Sequence, residues 1–378
     1  MRVAIVGGGA VGNMAAWRLA RYGAEVLLLE QFALDHDRGS SYGDSRIIRR
    51  VYPDGLYTEL MAGAYPLWQE LMTQTGDDTL FVQSGGLYFG DANHPDIHAA
   101  QTALLQNDVP HEILTPNECA RKFPAFRLAN NEVAISEPSM GYARASKCVR
   151  AASALAHDSG KVKTLYDTRV TRLEPGGKLG GVRLCLDNGH TLQADALILC
   201  AGAWTNTLLK PFDVQIPLKI TRQVYFHLLP KEANDPQFAP GAFPVWIDAS
   251  TLFYGFPRLG DVPGVKLAQH THGAEVHPDR VNRTITPDDV RPTLEFAAER
   301  FPRLSQTVVY EKVCLYSNTP DEDFVIDAIP NLPNAFVFSA CSGHGFKFTP
   351  LMGEIAARLA TEQETGYDLT RFHYPTEN

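Results

Sequence analysis

The first apolar segment, Val3-Ala4-Ile5-Val6, is short, rich in β-branched residues and unbroken by polar positions, which predicts a strand buried on both faces of a parallel sheet. Gly7-Gly8-Gly9-Ala10-Val11-Gly12 follows at once. From Asn13 to Tyr22 the pairs Ala15/Leu19 and Ala16/Ala20 recur at helical spacing, with Gly23 placed to close a helix. Glu25-Val26-Leu27-Leu28-Leu29-Glu30 is a second apolar strand, ending in an acid. Far downstream, Thr168 to Leu173 alternates as a strand does, and Ala196 to Trp204 is another apolar strand carrying Gly202 near its end. Val224 to Leu228, Leu252 to Phe256 and Val265 to His270 are short, aromatic or alternating, and predict an antiparallel sheet. The last of these puts Lys266, Ala268 and His270 on one face. A turn is expected at Gly260 to Gly264 and a helix over Pro287 to Arg300, opened at Pro287 or Pro292. A final long helix is expected to take Thr349 as N-cap and Pro350 at its first position, reaching Ala360.

The glycines complete a strand–turn–helix–strand unit with GxGxxG at Gly7, Gly9 and Gly12. Gly7 allows the tight turn, Gly9 lets a pyrophosphate approach the backbone, and Gly12 lets helix and strand pack closely. The helix N-terminus offers free N–H groups to phosphate, and Glu30 offers an acceptor to ribose hydroxyls while disfavouring a 2′-phosphate. No second fingerprint exists in the chain. A redox enzyme with one dinucleotide must take electrons from its substrate directly, which favours FAD over NAD. The expected fold is α/β plus antiparallel β: a Rossmann-type FAD-binding domain (residues 1–84, 146–214 and 311–378) interleaved with a mixed-sheet substrate domain (85–145 and 215–310).

Composition narrows the function classes. The 378 residues are 44 % hydrophobic and 20 % charged, enough for a real core. Lys and Arg number 34 against 43 Asp and Glu, a net −9, which argues against bulk binding to nucleic acid or an anionic membrane. The longest apolar run, nine residues from Ala196 to Trp204, falls short of the ~18 that a membrane span needs. Six cysteines with no CxxC suit a reducing compartment, and a cytoplasmic monomer is expected. No metal is expected, since His270 has no second ligand at metal spacing on its strand.

Gly7 to Gly12, Gly43-Asp44-Ser45-Arg46-Ile47-Ile48-Arg49, Lys266 to His270, Cys314-Leu315-Tyr316 and Ser342-Gly343-His344-Gly345-Phe346-Lys347-Phe348 share one family's order and spacing. Together they make the chain resemble the monomeric sarcosine oxidase and N-methyltryptophan oxidase family of D-amino-acid-oxidase-like flavoproteins, from Arg2 to about residue 365. The resemblance implies FAD linked covalently through Cys314, which by residue type alone would be a small buried hydrophobe. A thiolate favoured by basic neighbours is expected there. It implies Arg49 and Lys347 as a carboxylate clamp, Lys266 as the cation that activates dioxygen, and Arg46 beside the flavin ring. His270, Tyr254 and Tyr316 line the substrate cavity in that reading, with Lys266, His270, Arg46 and Tyr316 as catalytic groups. Flavin contacts are expected from Gly7, Gly9, Gly12, Glu30, Ser40, Ser45, Arg46, Val170, Gly202, Cys314, Gly343, Gly345 and Lys347.

Residue-level alternatives remain. Cys341 competes with Cys314 for the linkage, and Arg50, His272 and His277 read as surface residues. Tyr42 stands where the family has a histidine, and Val245 and Trp246 are expected near the cavity, Val245 touching substrate. The implied activity is oxidation of a secondary amino acid, N-methyl or cyclic, to an imine with dioxygen reduced to hydrogen peroxide. The implied partners are the small-molecule amino acid and dioxygen. The alternative is a flavin dehydrogenase or complex subunit passing electrons to a partner protein, against which Lys266 argues.

Overall fold

The computed structural model describes residues 1–177, 180–260, 262–271, 273–339 and 342–374. Asp261 in the expected turn, His272 and Cys341 lie outside the described residues.

Among these residues a six-stranded sheet runs Val325–Ala328, Ala335–Ser339, Ala196–Leu199, Arg2–Val6, Glu25–Leu29, Val162–Leu165. All neighbours are parallel except the first pair, which is antiparallel. Its central strands Arg2–Val6 and Ala196–Leu199 are buried on both sides, as their uninterrupted apolar runs require. The helix Ala10–Arg21 begins directly after Gly9 and packs on Thr349–Ala360 and Ala145–Asp158. Gly353 permits the first of these contacts: a Cβ there would lie 2.7 Å from the Met14 carbonyl carbon. A three-stranded sheet that includes Val170–Pro175 covers the other face.

An eight-stranded sheet forms the second layer, with Leu304–Asn318, Lys219–Pro230, Val265–Gln269, Phe253–Gly255 and Val245–Asp248 as successive neighbours. Register decides what faces what, because directly opposed residues share a face. His227 lies opposite Lys266, Gln223 opposite Cys314 and Thr221 opposite Tyr316. These alternate with Val224, Phe226, Leu228, Val265 and Leu267, which turn to a phenylalanine-rich core under the helix Pro287–Arg300.

Several expectations shift. The strand from Ala196 stops at Leu199, because Gly202 (φ 52°) opens a short 3-10 turn to Trp204. The strand beside Glu25–Leu29 is Val162–Leu165, and the alternating segment from Val170 begins a separate three-stranded sheet. The helix at residue 287 starts at Pro287, capped by Thr286 and Asp289. Thr349 is not an N-cap: a 3-10 turn, Gly345–Phe348, runs straight into the last helix, and Thr349 is its first residue. The division expected at residue 311 falls inside the single strand Leu304–Asn318, so Cys314 belongs to the eight-stranded sheet by hydrogen bonding.

Candidate active site

A cavity of about 540 Å³ lies between the two large sheets and runs from Gly7 to Lys347. At the glycine end, Gly7 has φ 110°, and a Cβ there would lie 2.3 Å from the Cys200 carbonyl oxygen. Gly12 does not line the cavity; its hydrogen lets the helix close to within 1.9 Å, measured from an ideal Cβ, of the Gly7 oxygen. The Glu30 carboxylate is buried and accepts from Gly8 N–H at 2.7 Å and Phe32 N–H at 2.9 Å. A carboxylate has about four acceptor positions, so Glu30 keeps capacity for ligand hydroxyls. Val170 and Gly202 stand at this end. The Thr349 hydroxyl lines the cavity and is buried with no hydrogen-bond partner among the described residues, ready for a polar ligand atom. A dinucleotide fits these features.

The loop from Gly39 to Arg46 joins the two ends. Arg46 donates to the carbonyls of Ser40 and Tyr42, both at 2.7 Å, and of Ser45 at 2.8 Å, which fixes the loop. Ser40 Oγ donates to the Leu315 carbonyl at 2.6 Å, tying it to the strand that carries Cys314.

Lys266 is buried, with Nζ 3.2 Å from Ser45 Oγ and 3.3 Å from the Ser45 carbonyl, over the rings of Tyr225 and Phe256. Burial, with Arg46 nearby, lowers its pKa to about 7. Burial pushes the Cys314 thiol up, against the pull of Arg46, Lys266 and Arg283, so the thiolate expected from basic neighbours is not favoured. Tyr254 and Tyr316 join hydroxyls at 3.2 Å, and burial raises both pKa values. The His270 ring lies 5.3 Å from that of Tyr316. Gly343 (φ 71°) is pressed on both: a Cβ there would come 2.4 Å from the His270 ring and 2.5 Å from that of Tyr316. Only glycine meets both demands.

At the far end Arg49 and Lys347 face one ring. The Arg49 guanidinium carbon is 3.9 Å, and Lys347 Nζ 5.3 Å, from the centroid of Tyr52. Lys347 Nζ donates to the Tyr52 hydroxyl at 2.8 Å and the His344 carbonyl at 2.5 Å. Arg49 donates to the Val51 carbonyl. Among the described residues no carboxylate is within ion-pair distance of Arg49, Lys347 or Lys266. Burial, then Arg49, holds the Lys347 pKa well below its ordinary value. Such a pair gains an attractive partner when an anion enters.

The cavity thus brings together most of the expected residues from distant segments of the chain, but not all. Val245 and Trp246 are completely buried and do not line it. Val245 packs with Val51 and Met140, Trp246 turns to the phenylalanine core, and Ile247 lines the wall instead. Arg50 is half-buried beside Glu137 rather than on a solvated face. His277 is exposed. Tyr52, Tyr225 and Phe256 were not expected, and His344 had no role; an aromatic three residues past Arg49 was the one available signal. Among the described residues no cluster of His, Cys, Asp and Glu is placed to hold a metal, and no helix is long and apolar enough to cross a membrane.

Comparison with known proteins matches the family described as FAD dependent oxidoreductase over residues 2–359. The monomeric sarcosine oxidase of Streptomyces avermitilis is 36 % identical over 377 residues, covering 98 % of this chain and 96 % of that one. The N-methyl-L-tryptophan oxidase of Shigella flexneri is 30 % identical over 381 residues, covering 97 % of each. Among solved structures, NikD, an unusual amino acid oxidase essential for nikkomycin biosynthesis, superposes with a TM-score of 0.85 at 25 % identity, covering 98 % of this chain and 96 % of that one.

Proposed function

The chain belongs to the FAD dependent oxidoreductase family, and from that premise we propose that it oxidises a secondary amino acid, N-methylated or cyclic, at a carbon–nitrogen bond. The secondary amine and dioxygen give an imine and hydrogen peroxide, and water hydrolyses the imine. The observation that carries this reading is the pair of half-buried Arg49 and buried Lys347, two cations with no carboxylate in ion-pair distance among the described residues, at the opposite end of a cavity from a dinucleotide cradle.

When bound, FAD supplies the two-electron redox chemistry. Gly7, Gly9 and Glu30 hold its nucleotide end, and Cys314 is the residue assigned to covalent attachment. Arg49 binds the substrate carboxylate through its planar fork and Lys347 through a point charge, which fixes orientation as well as charge. Both cations, with Lys266, disfavour a positive charge on the substrate amine, so its nitrogen keeps the lone pair that C–H cleavage requires. Tyr254, Tyr316 and His270 wall the cavity and exclude water. Lys266, in its protonated form, supplies a positive charge for the charge that develops on dioxygen. That role favours an oxidase over a dehydrogenase with a protein partner. The chain is expected to work as a monomer.

Purified protein tests the cofactor assignment. Mass spectrometry of the peptide spanning Cys314 is expected to show a flavin adduct, and Cys314→Ala is expected to release FAD on acid precipitation. An unmodified wild-type peptide would remove the linkage from Cys314.

A further inference from the structure

The hydrogen bonds behind the Lys347 ammonium have a direction, and a histidine with no part in the reaction above sets it. The Glu322 carbonyl can only accept, and it lies 2.9 Å from His344 Nε2, so that nitrogen carries the hydrogen. The ring sits among aromatic neighbours, its centroid 4.9 Å from that of Phe324 and 5.0 Å from that of Tyr57. Burial, and then the charge of Lys347, disfavour an imidazolium there. A neutral ring with Nε2–H leaves Nδ1 as a bare acceptor, 3.1 Å from the Tyr52 hydroxyl. Tyr52 has one hydrogen to give and directs it to Nδ1. Its oxygen then faces Lys347 Nζ as an acceptor at 2.8 Å. The His344 carbonyl takes a second ammonium hydrogen at 2.5 Å. An ammonium has three donors, so the third is free for a ligand. The opposite tautomer would face the Glu322 carbonyl with a bare nitrogen and set N–H against the hydroxyl that Lys347 needs.

We propose that His344 is a positioning residue for substrate binding: as the Nε2–H tautomer it draws the Tyr52 proton to Nδ1, makes the Tyr52 oxygen an acceptor for Lys347, and leaves that ammonium one N–H for the substrate carboxylate. This rests on the clamp of the proposed function but concerns the groups behind it. A ring that merely fills space would serve in either tautomer, and leucine would replace it.

The first test is the tautomer itself, in the wild-type holoenzyme. The 15N spectrum of labelled histidine, with the His344 signals assigned by their loss in His344→Asn, is expected to show a protonated Nε2 and a bare Nδ1. The Nδ1–H form would overturn the proposal while leaving the clamp intact. The second test titrates methylthioacetate, a simple carboxylate, into holoenzyme and reads binding by calorimetry. His344→Leu and Tyr52→Phe are each expected to weaken it about tenfold, and the double variant no more than either single one, because the two act as one chain. In turnover the same variants are expected to raise KM far more than they lower kcat. His344→Asn, whose side-chain oxygen can accept the Tyr52 proton, is expected to recover most of the affinity. Binding by His344→Leu within about twofold of wild type, or additive losses in the double variant, would overturn the proposal. Arg49→Ala separates the two readings: if it binds methylthioacetate as tightly as wild type, the clamp itself fails, whatever the tautomer.

Discussion

Arg300 and Lys266 are both buried beside the eight-stranded sheet, on opposite faces, and the protein treats them differently. Arg300 meets both Glu132 oxygens at 2.5 Å and Asp248 at 3.4 Å. Burial pulls its pKa down, but the Glu132 hydrogen bonds and the two negative charges pull harder, and the net shift is upward. Among the described residues Lys266 hydrogen-bonds only to the hydroxyl and carbonyl of Ser45, and its pKa falls to about 7. Lys347 is in the same position as Lys266, with a hydroxyl and a carbonyl for partners. A buried cation whose counter-charge the chain supplies belongs to the fold. One left with neutral partners is strained until a ligand brings negative charge, and that strain marks the site.

Removing the paired cation gives the largest expected effect. Arg300→Leu leaves Glu132 and Asp248 buried and uncompensated, and should cost about 3–5 kcal/mol of stability in urea denaturation, with substrate KM unchanged. A loss below about 1 kcal/mol would erase the contrast. Lys266→Met should leave stability undiminished but slow reoxidation by dioxygen about 10²–10³-fold in stopped flow, while reduction by substrate changes little. Equal slowing of both half-reactions would deny Lys266 its specific role. A third effect is one of pH. Lys266 has a folded pKa of about 7 against an ordinary 10.5, so between these values the unfolded chain holds a proton that the folded chain lacks. Stability of protein made without flavin should therefore rise with pH across that window. Lys266→Met should reduce the rise and leave the share of Lys347, whose pKa is also lowered; an unchanged slope would assign it to other groups.

The nucleotide cradle was legible because it is local. Gly7 to Glu30 form one unit, and each residue's task follows from the turn it makes. The catalytic end is assembled from segments around residues 46–52, 254, 266–270, 314–316 and 343–347, and no periodicity connects them; only the family's spacing did. Alternation put Lys266 and His270 on one face correctly, yet it could not say how far along a face the cavity extends. Val245 and Ile247 share a face, and one lies beneath the wall while the other forms it. The basic neighbours also misled at Cys314, where burial outweighs the nearby cations and the thiol behaves as its residue type alone suggested. Tyr52 and His344 matter through hydrogen bonds to each other, a relation between positions 292 residues apart in the chain.

Peroxide release from an N-methyl amino acid and from the amine left by removing its carboxylate, compared on the same enzyme, tests the account most directly. Charge-assisted hydrogen bonds contribute roughly 1.5–3 kcal/mol each. The amino acid should therefore be oxidised with kcat/KM at least about tenfold higher than the amine. Equal efficiency would mean that Arg49 and Lys347 do not recognise a carboxylate, and the amino-acid assignment would fall.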